Sequence, residues 1–240
     1  MSMFVVTGTG TGVGKTAVTA AIAALARHEG KRVAVLKPAQ TGVAPGEPGD
    51  LAEVVRLAGE VTTRELRRYP DPLSPEAAAR RSGQPVLSPA EIAAAATELD
   101  HTHDLVLIEG AGGLLVRYGP DGSTLADVAW ALGTVLLLVA EPGLGTLNAT
   151  ALTAEVATVR GLHVSGVVIG SWPAEPDLAM LSNVADLPVA AGAPLLGALP
   201  EGVGGLERAE FLERARAGLS PWFGGDFDSE RFEKSASSRT

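Results

Sequence analysis

The chain has 240 residues, 46% of them apolar, and a formal net charge of −9. That length fits one large domain, and the acidic balance argues against broad binding to a nucleic-acid backbone. With no cysteine, disulfides and thiolate metal sites are excluded.

The longest purely apolar run, Val135 to Ala140, is far shorter than the about 20 residues of a membrane span. The first residues lack the basic start and long apolar core of a secretion signal, so a cytoplasmic protein without a membrane partner is expected.

In chain order, Met3 to Val6 reads as a buried strand and Ala17 to Arg27 as a helix. Between them lies Gly8-Thr9-Gly10-Thr11-Gly12-Val13-Gly14-Lys15-Thr16. A glycine-rich loop between strand and helix is the context of a phosphate-binding loop. Its glycines let backbone N–H groups converge, and the helix adds free N–H donors and the positive end of its dipole. Lys15 supplies a cation for the outer phosphates, and the Thr16 hydroxyl can ligate Mg²⁺. The usual first glycine of such a loop falls on Thr9, with Gly8 one residue further out. A dinucleotide-binding loop is excluded, because no G-x-G-x-x-G frame fits these glycines.

Val33 to Leu36 is a second strand, ending in Lys37-Pro38-Ala39-Gln40-Thr41-Gly42. Polar residues at the carboxyl end of a parallel strand sit where open sheets bind ligands. Lys37 alone reads more readily as a surface lysine, but its strand should lie near the phosphate loop, which favours a functional role. After a Pro/Gly loop from Val43 to Gly49, Asp50 opens a helix over Leu51 to Ala58. On spacing it is an N-cap first and a metal ligand second.

Val61 to Gln84 carries no clear period apart from a short helix at Glu76 to Arg81. Arg67-Arg68 and Arg80-Arg81 read as solvated faces. Ser88-Pro89 with Glu91 starts a helix that Ala90 to Leu99 continues.

Leu105 to Ile108 is an apolar strand ending in Glu109-Gly110-Ala111-Gly112-Gly113. A carboxylate there matches the second acidic element of phosphate-loop NTPases, which binds Mg²⁺ beside the loop. Leu114 to Gly122 is an excursion, Thr124 to Leu132 a helix and Thr134 to Ala140 a central strand. Gly143-Leu144-Gly145-Thr146-Leu147-Asn148 opens a helix to about Arg160 and is a weak candidate anion site. Val164 to Ile169 and Leu195 to Pro200 are further strands, with Phe211 to Ala217 the final helix. His28, His101, His103 and His163 are not grouped as metal ligands.

Alternating strands and helices imply an α/β fold. It should be a mainly parallel sheet of six or seven strands with helices on both faces, of the phosphate-loop NTPase type. The expected organisation is one domain over 1–220 and a polar, partly disordered tail over 221–240.

Taken together, the loop from Gly8 to Thr16, the Lys37 to Gly42 stretch and Val106 to Gly113 closely resemble dethiobiotin synthetases. Gly143 to Asn148 and Gly197-Ala198-Leu199-Pro200 look like later loops of that family. The resemblance spans roughly residues 3 to 218 and includes the extra residue in the phosphate loop. Gly12 stands where many members carry Glu.

What the resemblance implies is an ATP-dependent cyclo-ligase of biotin biosynthesis. It would join CO₂ to 7,8-diaminopelargonate with ATP, or another nucleoside triphosphate, and close a cyclic urea. Thr16, Asp50 and Glu109 match the family's Mg²⁺ ligands, so Asp50 becomes more than a cap. Lys37, Lys15 and Thr11 match catalytic positions. Gly12, Val13, Gly14, Lys15, Thr16, Ala17, Asp50, Glu109, Gly110, Ala111 and Gly112 match nucleotide contacts, and Gly170, Ser171, Ala198, Leu199 and Pro200 match loops around the base. Thr41 matches a diamine contact. In the family's homodimer, Leu144, Gly145, Thr146, Leu147 and Asn148 reach the partner's substrate. The rival readings are a partitioning-type switch ATPase and a related amide-forming ligase domain, or a sensory domain that kept the fold and lost the chemistry. The switch would carry a second lysine where this chain has Gly10 and Thr11, and it would need a basic DNA face or a membrane tail.

Overall fold

The computed structural model describes residues 3–239. Its strands are β1 (Met3–Gly8), β2 (Val33–Thr41), β3 (Thr62–Tyr69), β4 (Leu105–Gly113), β5 (Val135–Ala140), β6 (Val164–Trp172) and β7 (Leu195–Pro200). Between them run α1 (Lys15–His28), α2 (Asp50–Ala58), α3 (Pro75–Ser82), α4 (Pro89–Asp100), α5 (Leu125–Leu132), α6 (Thr146–Val159) and α7 (Leu178–Ala191). Two helices follow the last strand, α8 (Arg208–Gly218) and α9 (Ser229–Ser237).

The strands form one seven-stranded sheet in the order β3-β2-β4-β1-β5-β6-β7. Every neighbouring pair is parallel. The apolar runs lack polar alternation because both faces of a parallel sheet are covered. Successive residues then feed opposite layers. Val5, Val106, Ile108, Leu136 and Leu138 pack under α4, α5 and α7. Phe4, Val6, Leu105, Leu107 and Leu137 pack under α1, α2 and α8. Burial of each such side chain contributes roughly 1.5–3 kcal/mol. Leu107→Ala would leave a cavity in the second layer at a cost of about 2–5 kcal/mol.

Alanine is what lets α1 serve that layer. Ala20, Ala21, Ala23 and Ala24 are all buried, so the helix lies close to the sheet and to its neighbours α2 and α8. The start of α4 carries a full capping box, Ser88 with Glu91, behind Pro89.

Several expectations are corrected. The stretch from Val61 contains the edge strand β3, whose Thr-Thr-Arg-Glu-Leu-Arg-Arg-Tyr sequence lacks an apolar run. Charged side chains are what an exposed edge needs. Arg68 pairs with Glu65 of the same strand and Arg67 with Glu91 of α4, so the first arginine pair is held by neighbouring carboxylates and not merely solvated. Asp50 is not an N-cap: Gly49 is, and Asp50 is the first helical residue. The polar tail from 221 is ordered, and α8 is not the final helix. A short 3-10 turn at Pro221–Phe223 leads to α9. There Phe227 and Ala236 are buried in the first layer, and Phe232 packs edge-on against Trp172. Aromatic anchors spaced along a polar sequence hold it down. Thr240 lies outside the described residues.

Candidate active site

The strand order puts β4 between β1 and β2. The phosphate loop after β1, Glu109 near the end of β4 and Lys37 on β2 therefore meet at one edge of the sheet. Ligands of open α/β sheets bind at that carboxyl edge.

Glycine is required where the loop presses on its neighbours. Gly14 has φ 94°, and a Cβ there would lie 2.5 Å from the Gly170 carbonyl oxygen. The loop is pinned at its start, where Thr9 N–H donates to the Val139 carbonyl at 3.0 Å. Val13 turns its side chain into the core and does not line the cavity described below. Gly14 caps α1 without any side-chain hydrogen bond, leaving the first N–H groups of that helix for a ligand.

Lys15 is buried, and its ammonium donates to the Gly10 carbonyl at 2.7 Å. Burial, and then the charge of Lys37, pulls its pKa down to about 8 against the opposing carboxylates of Glu109 and Asp50.

Lys37 stands at the centre of the cluster. Its ammonium lies 2.7 Å from Glu109 Oε1 and 2.5 Å from Asp50 Oδ2, and it reaches the Gly110 carbonyl at 3.3 Å. Burial pushes its pKa down, but the two carboxylates outweigh that and hold it above the ordinary lysine value. The Thr16 hydroxyl donates to the same Glu109 oxygen at 2.9 Å. Glu109 Oε2 is buried with no hydrogen-bond partner. A buried carboxylate oxygen without a donor is a costly arrangement, and a hard cation would satisfy it.

A cavity of about 770 Å³ opens over this cluster. Thr11, Gly12, Gly14, Lys15, Thr16, Ala17, Lys37, Thr41, Asp50, Glu109, Gly110, Ala111 and Gly112 all line it. Gly170 touches the phosphate loop from behind but does not line the cavity, and neither do Ser171, Ala198, Leu199 and Pro200. Leu199 is a core side chain. Leu144, Gly145, Thr146, Leu147 and Asn148 are also absent from the cavity of their own chain. Leu144 is 93% exposed and points away from the fold.

Residues not singled out from the sequence complete the wall. Pro72, Leu73, Ser74, Pro75 and Val116 also line the cavity. Only the strand β3 brings the Pro72 to Pro75 stretch to the site. Gln40 also lines the cavity; it lies inside a motif that stood out, but no spacing rule gives it a role. The buried Tyr118 hydroxyl accepts from Ala111 N–H at 3.3 Å and steadies the glycine turn after Glu109.

A family model described as an AAA domain matches residues 2–203. The ATP-dependent dethiobiotin synthetase BioD of Saccharopolyspora erythraea is 64% identical over 225 residues, 94% of this chain and 98% of that protein. That of Streptomyces coelicolor is 57% identical over 232 residues, 97% of this chain and 98% of that protein.

The chain belongs to the ATP-dependent dethiobiotin synthetase family. Membership makes it an enzyme, an ATP-dependent ligase of biotin biosynthesis. Solved structures place this dethiobiotin synthetase family member among phosphate-loop NTPase folds. The septum site-determining protein MinD complexed with Mg-ADP from Pyrococcus horikoshii superposes with TM-score 0.53 at 18% identity, covering 99% of this chain and 95% of that one. FtsY from Mycoplasma mycoides gives 0.54 at 16% identity, covering 99% and 68%. Those likenesses concern the fold alone.

Proposed function

We propose that this chain carboxylates 7,8-diaminopelargonate with CO₂ and closes the cyclic urea of dethiobiotin, turning ATP into ADP and phosphate. The observation that carries the reading is one buried lysine, Lys37, held by two carboxylates beside a phosphate loop, in a chain 64% identical to a protein of that name.

One amine of the diamine adds to CO₂, loses a proton and becomes a carbamate. A carbamate oxygen attacks the γ-phosphorus and ADP leaves. The second amine then attacks the carbonyl carbon and inorganic phosphate leaves. In the second step two anions must approach. The fixed ammonium of Lys37 and that of Lys15 offset their repulsion in a site shielded from water. The N–H groups of the phosphate loop orient the triphosphate. Thr11 and Thr41, both lining the cavity, would contact phosphate or the diamine, and Gly110 to Gly112 would allow the nucleotide close to the backbone.

Mg²⁺ fits this donor set. Thr16 Oγ1, Asp50 and the partnerless Glu109 Oε2 are hard oxygen donors of the kind it prefers. When bound, it supplies charge neutralisation on the transferring phosphoryl group.

The working form is a cytoplasmic homodimer. Leu144, just before α6, and Leu152 and Val159 on it are exposed apolar side chains, fit for a second copy whose Gly145 to Asn148 backbone would meet the substrate carboxylate. Ser171, Ala198 and Pro200 would border the nucleotide base.

The test is phosphate release with and without diaminopelargonate and bicarbonate, using ATP and other triphosphates. Release that needs both supports the ligase. Equal release without them would make the chain a simple NTPase and sink the reading.

A further inference from the structure

Gln40 sits on β2, three residues beyond Lys37, and is buried. Its Oε1 accepts from the backbone N–H of Asp50 at 2.8 Å. That N–H opens α2, whose N-cap, Gly49, has no side chain to offer. The first N–H groups of a helix need acceptors, and here one comes from another element. Gly49 is needed for space: a Cβ on it would lie 2.7 Å from Gln40 Oε1. Arg68 holds the same loop from the other side by donating to the Ala44 and Glu47 carbonyls.

We infer that Gln40 is the positioning residue of Asp50. Its amide docks the first turn of α2 against β2, which sets the Asp50 carboxylate 2.5 Å from Lys37 and over the cavity. The hydrogen bonds of its amide go to backbone, the Asp50 N–H and the Thr41 carbonyl. Loss of the acceptor frees the turn, and Asp50 then holds its cation less well. The inference rests on the reading of Asp50 as a metal ligand.

The experiment measures Mn²⁺ binding by electron paramagnetic resonance in the full chain loaded with a non-hydrolysable nucleotide. Four proteins are compared: the parent, Gln40→Met, Asp50→Asn and the double variant. Gln40→Met fills the same volume without the acceptor and should weaken Mn²⁺ binding about tenfold, the worth of one hydrogen bond. In the Asp50→Asn background the same change should add nothing, since it acts through that carboxylate. Gln40→Glu keeps an acceptor oxygen and should stay within about threefold of the parent. KM for the metal–nucleotide should rise more with Gln40→Met than kcat falls. Should Gln40→Met fail to fold, Gln40→Asn keeps an amide but withdraws the acceptor, and the same comparisons apply.

Mn²⁺ binding unchanged in Gln40→Met overturns the inference. So does a loss that adds in full to that of Asp50→Asn, since Gln40 would then act elsewhere. Unchanged binding in Asp50→Asn alone would overturn the metal assignment of Asp50, and this inference with it.

Discussion

The Lys37 ammonium and the Glu109 carboxylate stand 2.7 Å apart with 4% and 1% of their side chains exposed. A pair so withdrawn from water is asymmetric in its consequences: intact it is roughly neutral for stability, but broken it leaves a bare buried charge.

Lys37→Met should therefore do two things. Turnover should fall on the order of 10² to 10³, the usual loss for one preorganised charge partner. The fold should also weaken by about 3–5 kcal/mol, because Glu109 loses its cation. Turnover within about threefold of wild type would remove Lys37 from the chemistry. An unchanged denaturation midpoint would contradict the buried pairing.

Glu109→Gln removes the carboxylate whose Oε2 lacks a donor and leaves Lys37 with Asp50. Mn²⁺ binding to the nucleotide complex should weaken at least about tenfold, since a neutral amide is a poor ligand for a hard cation. Unaltered binding would show that the ion lies elsewhere.

At Gly170 the expected effect is steric. An alanine Cβ there would lie 2.0 Å from the Val13 carbonyl oxygen and 3.0 Å from Gly14 Cα. Gly170→Ala should push the phosphate loop off β6, with a stability loss of about 1–3 kcal/mol. Nucleotide affinity, read by calorimetry, should drop with it. Wild-type affinity would mean that the loop tolerates the shift.

Arg32 clamps Asp104 with both its guanidinium and its backbone N–H. Those hydrogen bonds lower the Asp104 pKa from 3.8 to about 2. A depressed carboxylate contributes stability above its unfolded pKa and loses it as the pH falls through the folded value. Asp104→Asn should thus lower Tm slightly at neutral pH, the pair being exposed to water. The gap from the parent should narrow as pH drops below 3.8. A gap constant down to about pH 2 would separate Asp104 from this linkage.

Leu144→Asp places a charge on an apolar side chain just before α6 that is 93% exposed in the single chain. In the dimeric reading it should yield monomers by sedimentation, with turnover lost and nucleotide binding kept. A fully active monomer would overturn the shared site.

The phosphate loop, the strand ending in Glu109 and the alternation of strands and helices were legible in the chain itself. Their signals are local: glycine spacing, an apolar run and a carboxylate at its end occupy consecutive residues. Asp50 was ambiguous for the same reason. A carboxylate before a helical period reads as a cap whether or not a lysine waits across a gap. Gln40 was visible in its motif without a task, because its partner is a backbone N–H ten residues away on another element.

β3 was missed because an edge strand needs no apolar run. The ordered tail was missed because Phe227 and Phe232 form no period. What the sequence by itself determined is the chemistry available: a phosphate cradle, a lysine and carboxylates at strand ends. Only the tertiary structure decided which of them meet. Inserting β4 between β1 and β2 brings Glu109 to Lys37 and Thr16, contacts spanning 72 and 93 residues. No window of the chain encodes such a distance, since strand order follows from packing the whole sheet.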